Sequence, residues 1–314
     1  MGDKITGLAA PSVISAPNQV TSPTHYGTWD RLKAFIQVTK PISVFLLVFT
    51  AFAMMVVAGA THPLSWGLMV QSLLAVSLAC AGANAISCYI DRDMDAVMGR
   101  TSRRPIPSGR INPPILALYW GVLLFLASLV LAWGLNLVAF AALWGGMLGY
   151  VVVYSLWLKR RSVWNIIIGG FSGGLPVIFG WAAVTGEISL LSLMVAALVV
   201  LWIPNHIWSL AIFYREEYAR VKVPMLPVVC DIKKALHCLL MTVIMMVAFS
   251  VAIYFVGDWG VIYLGTAAVL GVVALGLSTH IYFRPEQRKA WTLFKFSSPY
   301  LFLLFLAMMI DVWI

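Results

Sequence analysis

Nine long apolar runs constrain the fold of this chain more than any other feature. The runs lie at about residues 41–60, 64–90, 114–134, 136–157, 163–184, 188–213, 236–256, 259–283 and 292–312. A membrane-spanning helix needs roughly 20 predominantly apolar residues, so each run is long enough to cross a bilayer. Hydrophobic residues make up 61% of the 314 residues and charged residues only 11%, which a water-soluble domain could not bury. We therefore predict an all-α polytopic membrane protein with nine transmembrane helices, in contact with the lipid bilayer.

The basic residues alternate between the two sides of the predicted spans. All 21 Lys and Arg fall in the N-terminal segment or in the second, fourth, sixth and eighth connections, and the intervening turns carry none. Because cytoplasmic loops are enriched in Lys and Arg, this alternation predicts a cytoplasmic N-terminus and a multi-pass protein of the cell inner membrane. The net charge of +9 is then explained by topology and anionic headgroups, and it does not indicate nucleic-acid binding.

The chain divides into a tail and one transmembrane domain. Residues 1–30 are rich in Pro, Ser, Thr and Gly, a composition typical of a disordered segment, here a cytoplasmic tail. Residues 31–314 form the predicted nine-helix domain. Its two longer cytoplasmic loops, 91–113 and 215–234, follow the second and sixth spans, and each carries carboxylates followed by Arg and Pro. Equivalent positions four helices apart suggest two related halves.

Three aspartates stand where the second apolar run meets a basic loop. Asp91 and Asp95 are four residues apart, so on a helical end both carboxylates point the same way and can share a divalent cation. Mg²⁺ binds oxygen ligands and typically uses one or two carboxylates together with substrate phosphates. The pattern predicts a metal-bridged diphosphate site. The alternative is a solvated loop with Arg92 as the partner of the acidic residues.

Basic residues follow the aspartates in this loop and in the next basic one. They are Arg100, Arg103 and Arg104 in the first and Lys159, Arg160 and Arg161 in the second. Arginine and lysine side chains donate charge-assisted hydrogen bonds to phosphate oxygens. These residues could therefore form a basic rim around a diphosphate, or they could serve only as positive-inside residues.

A second carboxylate pair, Glu216 and Glu217, ends the sixth run. Glu217 could hold a cation opposite the aspartates, although Arg215 and Arg220 could also neutralise the pair. His206 lies about three turns earlier, at 1.5 Å rise per residue. An ionisable residue within a span is a functional candidate, whereas a structural histidine is the alternative. Because Pro204 precedes it, we expect a locally opened helix here.

These same motifs resemble a known family. The segment Asp91–Pro105, DRDMDAVMGRTSRRP, resembles the DRDIDxxMxRTxxRP signature of the protohaem IX farnesyltransferase (haem O synthase) family, within the UbiA superfamily of intramembrane prenyltransferases. The similarity continues through Lys40 and Pro41, Tyr154–Gly170, Gly180–Gly186, His206 with Trp208, and Pro224–Val229. It covers nearly all of the chain from Arg31 to about Pro227.

The resemblance implies a helical bundle around a central cavity that the two loops cap. The implied reaction transfers the farnesyl group of farnesyl diphosphate to a vinyl group of haem b, with Mg²⁺ as cofactor, and gives haem O for a haem-copper terminal oxidase. Haem A synthase and oxidase assembly proteins are the implied protein partners. The implied catalytic residues are Asp91, Asp95 and His206, and the metal ligands are Asp91, Asp95 and Glu217. The predicted substrate-binding residues are Lys40, Ser87, Arg100, Arg104, Lys159, Arg160, Asn165, Tyr218 and Lys222.

The chain departs from the family pattern at three positions. Ser87 stands where the superfamily motif has Asn, Glu217 precedes Tyr218 where Asp is usual, and Lys222 replaces an expected Gly. These departures affect the expected geometry of the metal site and the identity of the acceptor substrate. A prenyltransferase acting on a quinone precursor, an aromatic acid or a glycerol lipid is one alternative function. A haem transporter or insertion factor that uses the same cavity is another.

Overall fold

A computed structural model describes residues 27–257 and 259–314, and in these ranges the fold is helical throughout. The helices are α1 (Thr28–Val38), α2 (Pro41–Gly59), α3 (Trp66–Ile90), α4 (Arg92–Val97), α5 (Ile115–Trp133), α6 (Leu137–Met147), α7 (Asn165–Thr185), α8 (Leu190–Phe213), α9 (Arg215–Arg220), α10 (Leu226–Val229), α11 (Ile232–Val256), α12 (Val261–Phe283) and α13 (Gln287–Asp311). A π-helix, Leu148–Leu158, continues α6. Most of the predicted tail lies outside the described residues, and α1 begins within its predicted range, at Thr28.

Nine spans long and apolar enough to cross a membrane are present among the described residues, as predicted. Two of them begin about one turn earlier than the apolar runs, since α11 starts at Ile232 and α13 at Gln287. Helical hydrogen bonds are made within the segment and do not require apolar side chains, so a helix can continue past the end of its apolar run. Asp231 supports the extra turn of α11, because its Oδ2 accepts a hydrogen bond from the Lys233 backbone N–H at 3.1 Å.

Consecutive spans pack against one another, and the last packs against the first to close the bundle. α3 lies along α5, α7 along α8 and α2, and α13 contacts both α12 and α2. Glycines permit the closest approach. A Cβ on Gly82 of α3 would lie 2.6 Å from the carbonyl oxygen of Gly121 on α5. Small residues at such a crossing allow two helix backbones to touch in a membrane.

Helix α8 is continuous through Pro204, so the predicted opening at this proline is wrong. Neighbouring helices surround α8 on several sides, namely α7, α11 and α13. Packing of this kind, together with local side-chain hydrogen bonds, lets transmembrane helices tolerate proline.

The two longer loops meet at one end of the bundle. Each begins with a six-residue helix directly after a span, α4 after α3 and α9 after α8. Met94 and Met98 of the first loop belong to the same buried cluster as Tyr218, Val223 and Met225 of the second. The two loops therefore form one packed layer over this end of the bundle.

Candidate active site

A cavity of about 860 Å³ lies inside the bundle beneath the packed loops. Its deeper walls are apolar and include Leu46, Leu143, Val199, Ile203 and Phe302. The charged side chains that line it all come from the loops or from helix ends, and they are Lys40, Asp91, Asp95, Arg100, Arg104 and Lys159. The cavity therefore combines a charged end with a long apolar compartment, and a ligand with a polar head and an apolar tail would match both parts.

Asp91 ends α3 and is only 2% exposed. Its Oδ2 accepts a hydrogen bond from Ser87 Oγ at 3.3 Å and forms an ion pair with the Lys159 ammonium group. Its Oδ1 is buried and has no hydrogen-bond partner among the described residues. Leaving a buried carboxylate oxygen without a hydrogen-bond donor costs free energy. A bound cation would therefore stabilise Asp91 Oδ1.

Lys159 reaches Asp91 from the end of the π-helix. Its backbone N–H donates to the Tyr154 carbonyl at 2.8 Å, the five-residue spacing of a π-helical turn, and Asn165 Nδ2 donates to the Lys159 carbonyl at 3.3 Å. Burial is the largest single effect on the pKa of Lys159 and lowers it, but the charge and hydrogen bond of Asp91, together with Tyr154 and Tyr150, raise it by more in total, so its pKa lies above the ordinary value. Lys159 is therefore a permanent cation beside Asp91 at neutral pH.

Asp95, one turn beyond Asp91, is 5% exposed and pairs with a different cation. Both of its carboxylate oxygens accept from Arg104 Nη1, at 2.8 and 2.9 Å. Thr101 Oγ1 donates to the Asp95 backbone carbonyl at 3.0 Å and holds the following turn against α4. Burial is the largest single effect on the pKa of Arg104 and lowers it, but the charge and hydrogen bonds of Asp95, together with Cys88 and Tyr150, raise it by more in total, so its pKa is raised overall.

Asp93 lies on the opposite face of the same segment. Its side chain is 60% exposed and pairs with Arg160, whose Nη1 donates to Oδ2 at 2.7 Å. This hydrogen bond is the main cause that lowers the pKa of Asp93. The structure therefore separates the three aspartates, with two facing the cavity and one at the surface. Arg160 is occupied at the surface and does not line the cavity.

Glu217 joins the two loops. Its Oε2 accepts a hydrogen bond from the Arg100 backbone N–H at 3.2 Å, and a Cβ on Gly99 would lie 3.5 Å from its Oε1. Glu217 does not line the cavity. Over the described ranges, no three His, Cys, Asp or Glu side chains are grouped closely enough to hold a metal ion. The metal role of Glu217 stays a prediction.

The remaining predicted site residues fall into two groups. Lys40 and Tyr218 line the cavity, with Lys40 at the start of α2 in the left-handed backbone region (φ 54°). Ser87, Asn165 and Lys222 do not line it. Ser87 is fully enclosed behind Asp91, and Asn165 lies behind Lys159. These two side chains therefore support the charged residues and have no direct access to the cavity.

His206 lies on α8 and lines the cavity, and its functional role stays a prediction. Its ring lies between helices α8 and α13, where it contacts Trp202, Phe294 and Ser297. The histidine therefore belongs to the aromatic part of the cavity wall.

The sequence did not single out Tyr150 and Tyr154, which line the cavity next to the charged end. Tyr150 donates a hydrogen bond from its hydroxyl to Asn84 Oδ1 at 3.3 Å, and the two tyrosine rings stack at 5.7 Å between centroids. Tyrosines near span ends commonly form an interfacial belt, so their position alone does not mark a site. The signal available in the sequence is that the two tyrosines lie four residues apart and that Tyr154 precedes Lys159 by about one turn.

Comparison with known proteins identifies the family. The model of the UbiA prenyltransferase family matches residues 46–307. A protoheme IX farnesyltransferase of Desulforudis audaxviator is 71% identical over 316 residues and 100% of both chains, and one of Symbiobacterium thermophilum is 40% identical over 90% of this chain and 97% of its own.

Solved structures share the fold. A structure of digeranylgeranylglyceryl phosphate synthase has a TM-score of 0.74 at 19% identity, covering 90% of this chain and 99% of its own. A UbiA homolog from Archaeoglobus fulgidus bound to GPP and Mg²⁺ has a TM-score of 0.65 at 17% identity, covering 88% and 99%. From its sequence, its nine-span bundle and these relatives, the chain belongs to the UbiA prenyltransferase family.

Proposed function

We propose that this chain transfers the farnesyl group of farnesyl diphosphate to a vinyl group of haem b, which gives haem O. The observation that carries the proposal is the 71% identity, over the full length of both chains, to a protoheme IX farnesyltransferase. A cavity with a charged end and a long apolar compartment supports it, because a prenyl diphosphate has a charged head and an apolar tail.

Asp91 and Asp95 are the proposed ligands of Mg²⁺. Both are buried carboxylates at the charged end of the cavity, and Asp91 Oδ1 has no hydrogen-bond donor among the described residues. This donor set fits a hard cation that prefers oxygen ligands. Bound there, Mg²⁺ supplies positive charge that stabilises the departing pyrophosphate. Glu217, on the facing loop, is the third proposed ligand and would serve a second ion.

Lys159 and Arg104 neutralise the two aspartates in the structure. When a diphosphate and its cation enter, we propose that both side chains turn their donors to phosphate oxygens, because the aspartates then have another positive partner. Lys40 and Arg100, which line the same end, add positive charge around the leaving group. Fixed donors aimed at developing negative charge are an effective means of lowering a reaction barrier.

The apolar compartment protects the reactive carbon. As the bond between the allylic carbon and oxygen loosens, positive charge develops on the farnesyl group, and water would capture it. Side chains such as Leu143, Val199 and Phe302 leave little polar surface to hold water there. We propose that the haem vinyl group attacks this carbon first, as the bond to the diphosphate oxygen breaks. Water then adds to the other, now cationic, vinyl carbon and loses a proton to solvent, which forms the hydroxyethylfarnesyl group.

The reaction site is proposed to face the cytoplasm, at the inner membrane. Every Lys and Arg lies in the N-terminal segment, in one of the alternate connections or within the first turns of a span beside one, and the positive-inside rule assigns these to the cytoplasm. Haem O made there would serve a haem-copper terminal oxidase, with haem A synthase or oxidase assembly proteins as partners.

Purified full-length protein, farnesyl diphosphate, MgCl₂ and haem b test the proposal directly. We expect a more hydrophobic haem whose mass equals that of haem b plus one farnesyl group and one hydroxyl group. Omitting MgCl₂ should abolish formation of this product. A prenylated quinone precursor or glycerol lipid, formed in membrane extract while haem remains unmodified, would contradict the haem assignment. Haem transport without any prenylated product would contradict the enzymatic assignment.

A further inference from the structure

Two side chains one turn apart on α8 bind the same residue of α13. Trp202 Nε1 donates to the Ser297 backbone carbonyl at 2.7 Å, and His206 Nδ1 lies 2.6 Å from Ser297 Oγ. Ser297 is fully buried. The position of the His206 ring is therefore fixed by a residue 91 positions later in the chain.

The hydrogen bonds of Ser297 determine which imidazole nitrogen carries the proton. Ser297 Oγ lies 2.7 Å from the Phe294 carbonyl oxygen, which can only accept. A serine hydroxyl has a single proton to donate and two lone pairs that accept. Because that proton goes to the carbonyl, the hydroxyl oxygen must accept from His206 Nδ1–H. In the neutral ring, Nε2 then carries a lone pair and no proton.

Nε2 is available to a ligand in the cavity. His206 lines the cavity, and Nε2 forms no hydrogen bond with any residue that the structure describes. The Trp202 ring stacks on the imidazole at 4.6 Å and 20°, and the Phe294 ring lies 4.5 Å away at 33°. These rings flank the imidazole and limit its rotation. The lone pair is thereby held in a fixed, apolar surrounding.

We propose that Ser297 is a positioning residue that presents His206 Nε2 as an axial ligand to the iron of the acceptor porphyrin. This inference rests on the proposed function for the choice of haem as substrate. Histidines that bind metals almost always donate their other N–H to an acceptor, which fixes the tautomer and orients the ring. The acceptor here is Ser297 Oγ, and imidazole ligation of haem iron is widespread. Ligation would orient the porphyrin within the cavity.

Titration of ferric haem b into the full-length protein tests this role without turnover. Electron paramagnetic resonance and resonance Raman spectra of the wild type should report a histidine-ligated iron. His206→Ala should lose this signature, and His206→Gly with added imidazole should regain it, which separates ligation from a folding defect. Ser297→Ala should weaken haem affinity by about 10- to 100-fold, the usual effect of removing the acceptor behind a metal-bound histidine, and should shift the iron–imidazole stretch.

Ser128→Ala is the matched control. Ser128 is also fully buried and also donates to a carbonyl three residues earlier, Phe125, but it lies on α5 and does not contact a histidine. A histidine-ligated spectrum in His206→Ala would overturn the proposal. So would equal haem affinities and spectra in Ser297→Ala and Ser128→Ala. If His206→Ala lost product but kept the wild-type haem spectrum, His206 would act as a base and the ligand role would fall.

The proposed function fails differently. Wild-type protein that binds haem through His206 but never forms farnesylated haem would disprove the transferase assignment and leave the axial site intact. Farnesylated haem formed by the wild type, with iron that lacks a histidine ligand, would disprove only the axial site.

Discussion

Lys159 and Asp91, 68 residues apart in the chain, form a buried ion pair at the charged end of the cavity. The pair joins the end of the π-helix to the end of α3. Both side chains are largely removed from solvent, so each charge depends on the other when no diphosphate is bound. The interaction therefore contributes to the stability of the free protein. We propose that it breaks when a diphosphate enters, so that Lys159 can bind phosphate oxygens.

Replacing either cavity-facing aspartate should abolish prenyl transfer. Asp91→Asn and Asp95→Asn each remove a proposed metal-binding charge, and we expect the rate to fall on the order of 100-fold or more. Product formation is measured by mass spectrometry of extracted haem. Asp93→Asn is the matched control, because Asp93 is exposed and pairs with Arg160 outside the cavity. Full activity of Asp91→Asn would contradict the metal role.

Lys159→Met should destabilise the free protein by about 3–5 kcal/mol, since it leaves the Asp91 carboxylate buried and unpaired. The double variant Asp91→Asn with Lys159→Met should recover most of this loss and remain inactive. The free energy of unfolding of each variant is measured by detergent-induced unfolding. Arg160→Met is the control, because exposed ion pairs contribute only about 0–1 kcal/mol. Equal unfolding free energies for Lys159→Met and Arg160→Met would show that the buried ion pair stabilises the protein no more than the exposed one.

The contribution of Lys159 to stability should persist into alkaline solution. Its pKa is raised in the folded protein, so the stabilisation is complete below the unfolded pKa, about 10.4, and is lost as pH rises through the higher folded value. The difference in unfolding free energy between wild type and Lys159→Met should stay constant from about pH 7 to pH 9.5 and shrink above pH 10.4. A difference that falls near pH 8 would contradict the raised pKa.

Glu217→Gln tests the third proposed metal ligand. The amide oxygen can still accept the Arg100 backbone N–H, so the contact between the loops should survive while the negative charge is lost. We expect the Mg²⁺ concentration for half-maximal activity to rise by about 10-fold. Glu217→Ala removes both features and should lower activity further. An unchanged Mg²⁺ requirement in Glu217→Gln would assign Glu217 to the loop contact alone.

Gly82→Ala should destabilise the bundle by about 1–3 kcal/mol, because the added methyl group would overlap the Gly121 backbone carbonyl, which cannot move without shifting α5. Gly276→Ala on α12 is the control. No atom lies within 4 Å of the position of its Cβ, and alanine is the better helix former, so stability should be unchanged or rise by up to about 1 kcal/mol. Equal losses in both variants would disprove close packing of α3 on α5.

The two loops show which structural features can be predicted from local sequence. Their common pattern of carboxylates followed by Arg and Pro predicted equivalent positions after the second and sixth spans, and both loops do begin with a short helix after a span. The contact of Glu217 with the Arg100 backbone was not predictable, because it joins residues 117 positions apart. Likewise, the continuity of α8 through Pro204 depends on the neighbouring helices.

The sequence by itself determined the nine spans, their alternating basic connections and the acidic motif, because hydrophobic length, charge and four-residue spacing are local properties. Only the tertiary structure decided that Asp91 and Asp95 face the cavity while Asp93 faces outward. It also decided which cations pair with them, and that Ser297 orients His206. These relationships join distant segments, and their geometry follows from how the helices pack.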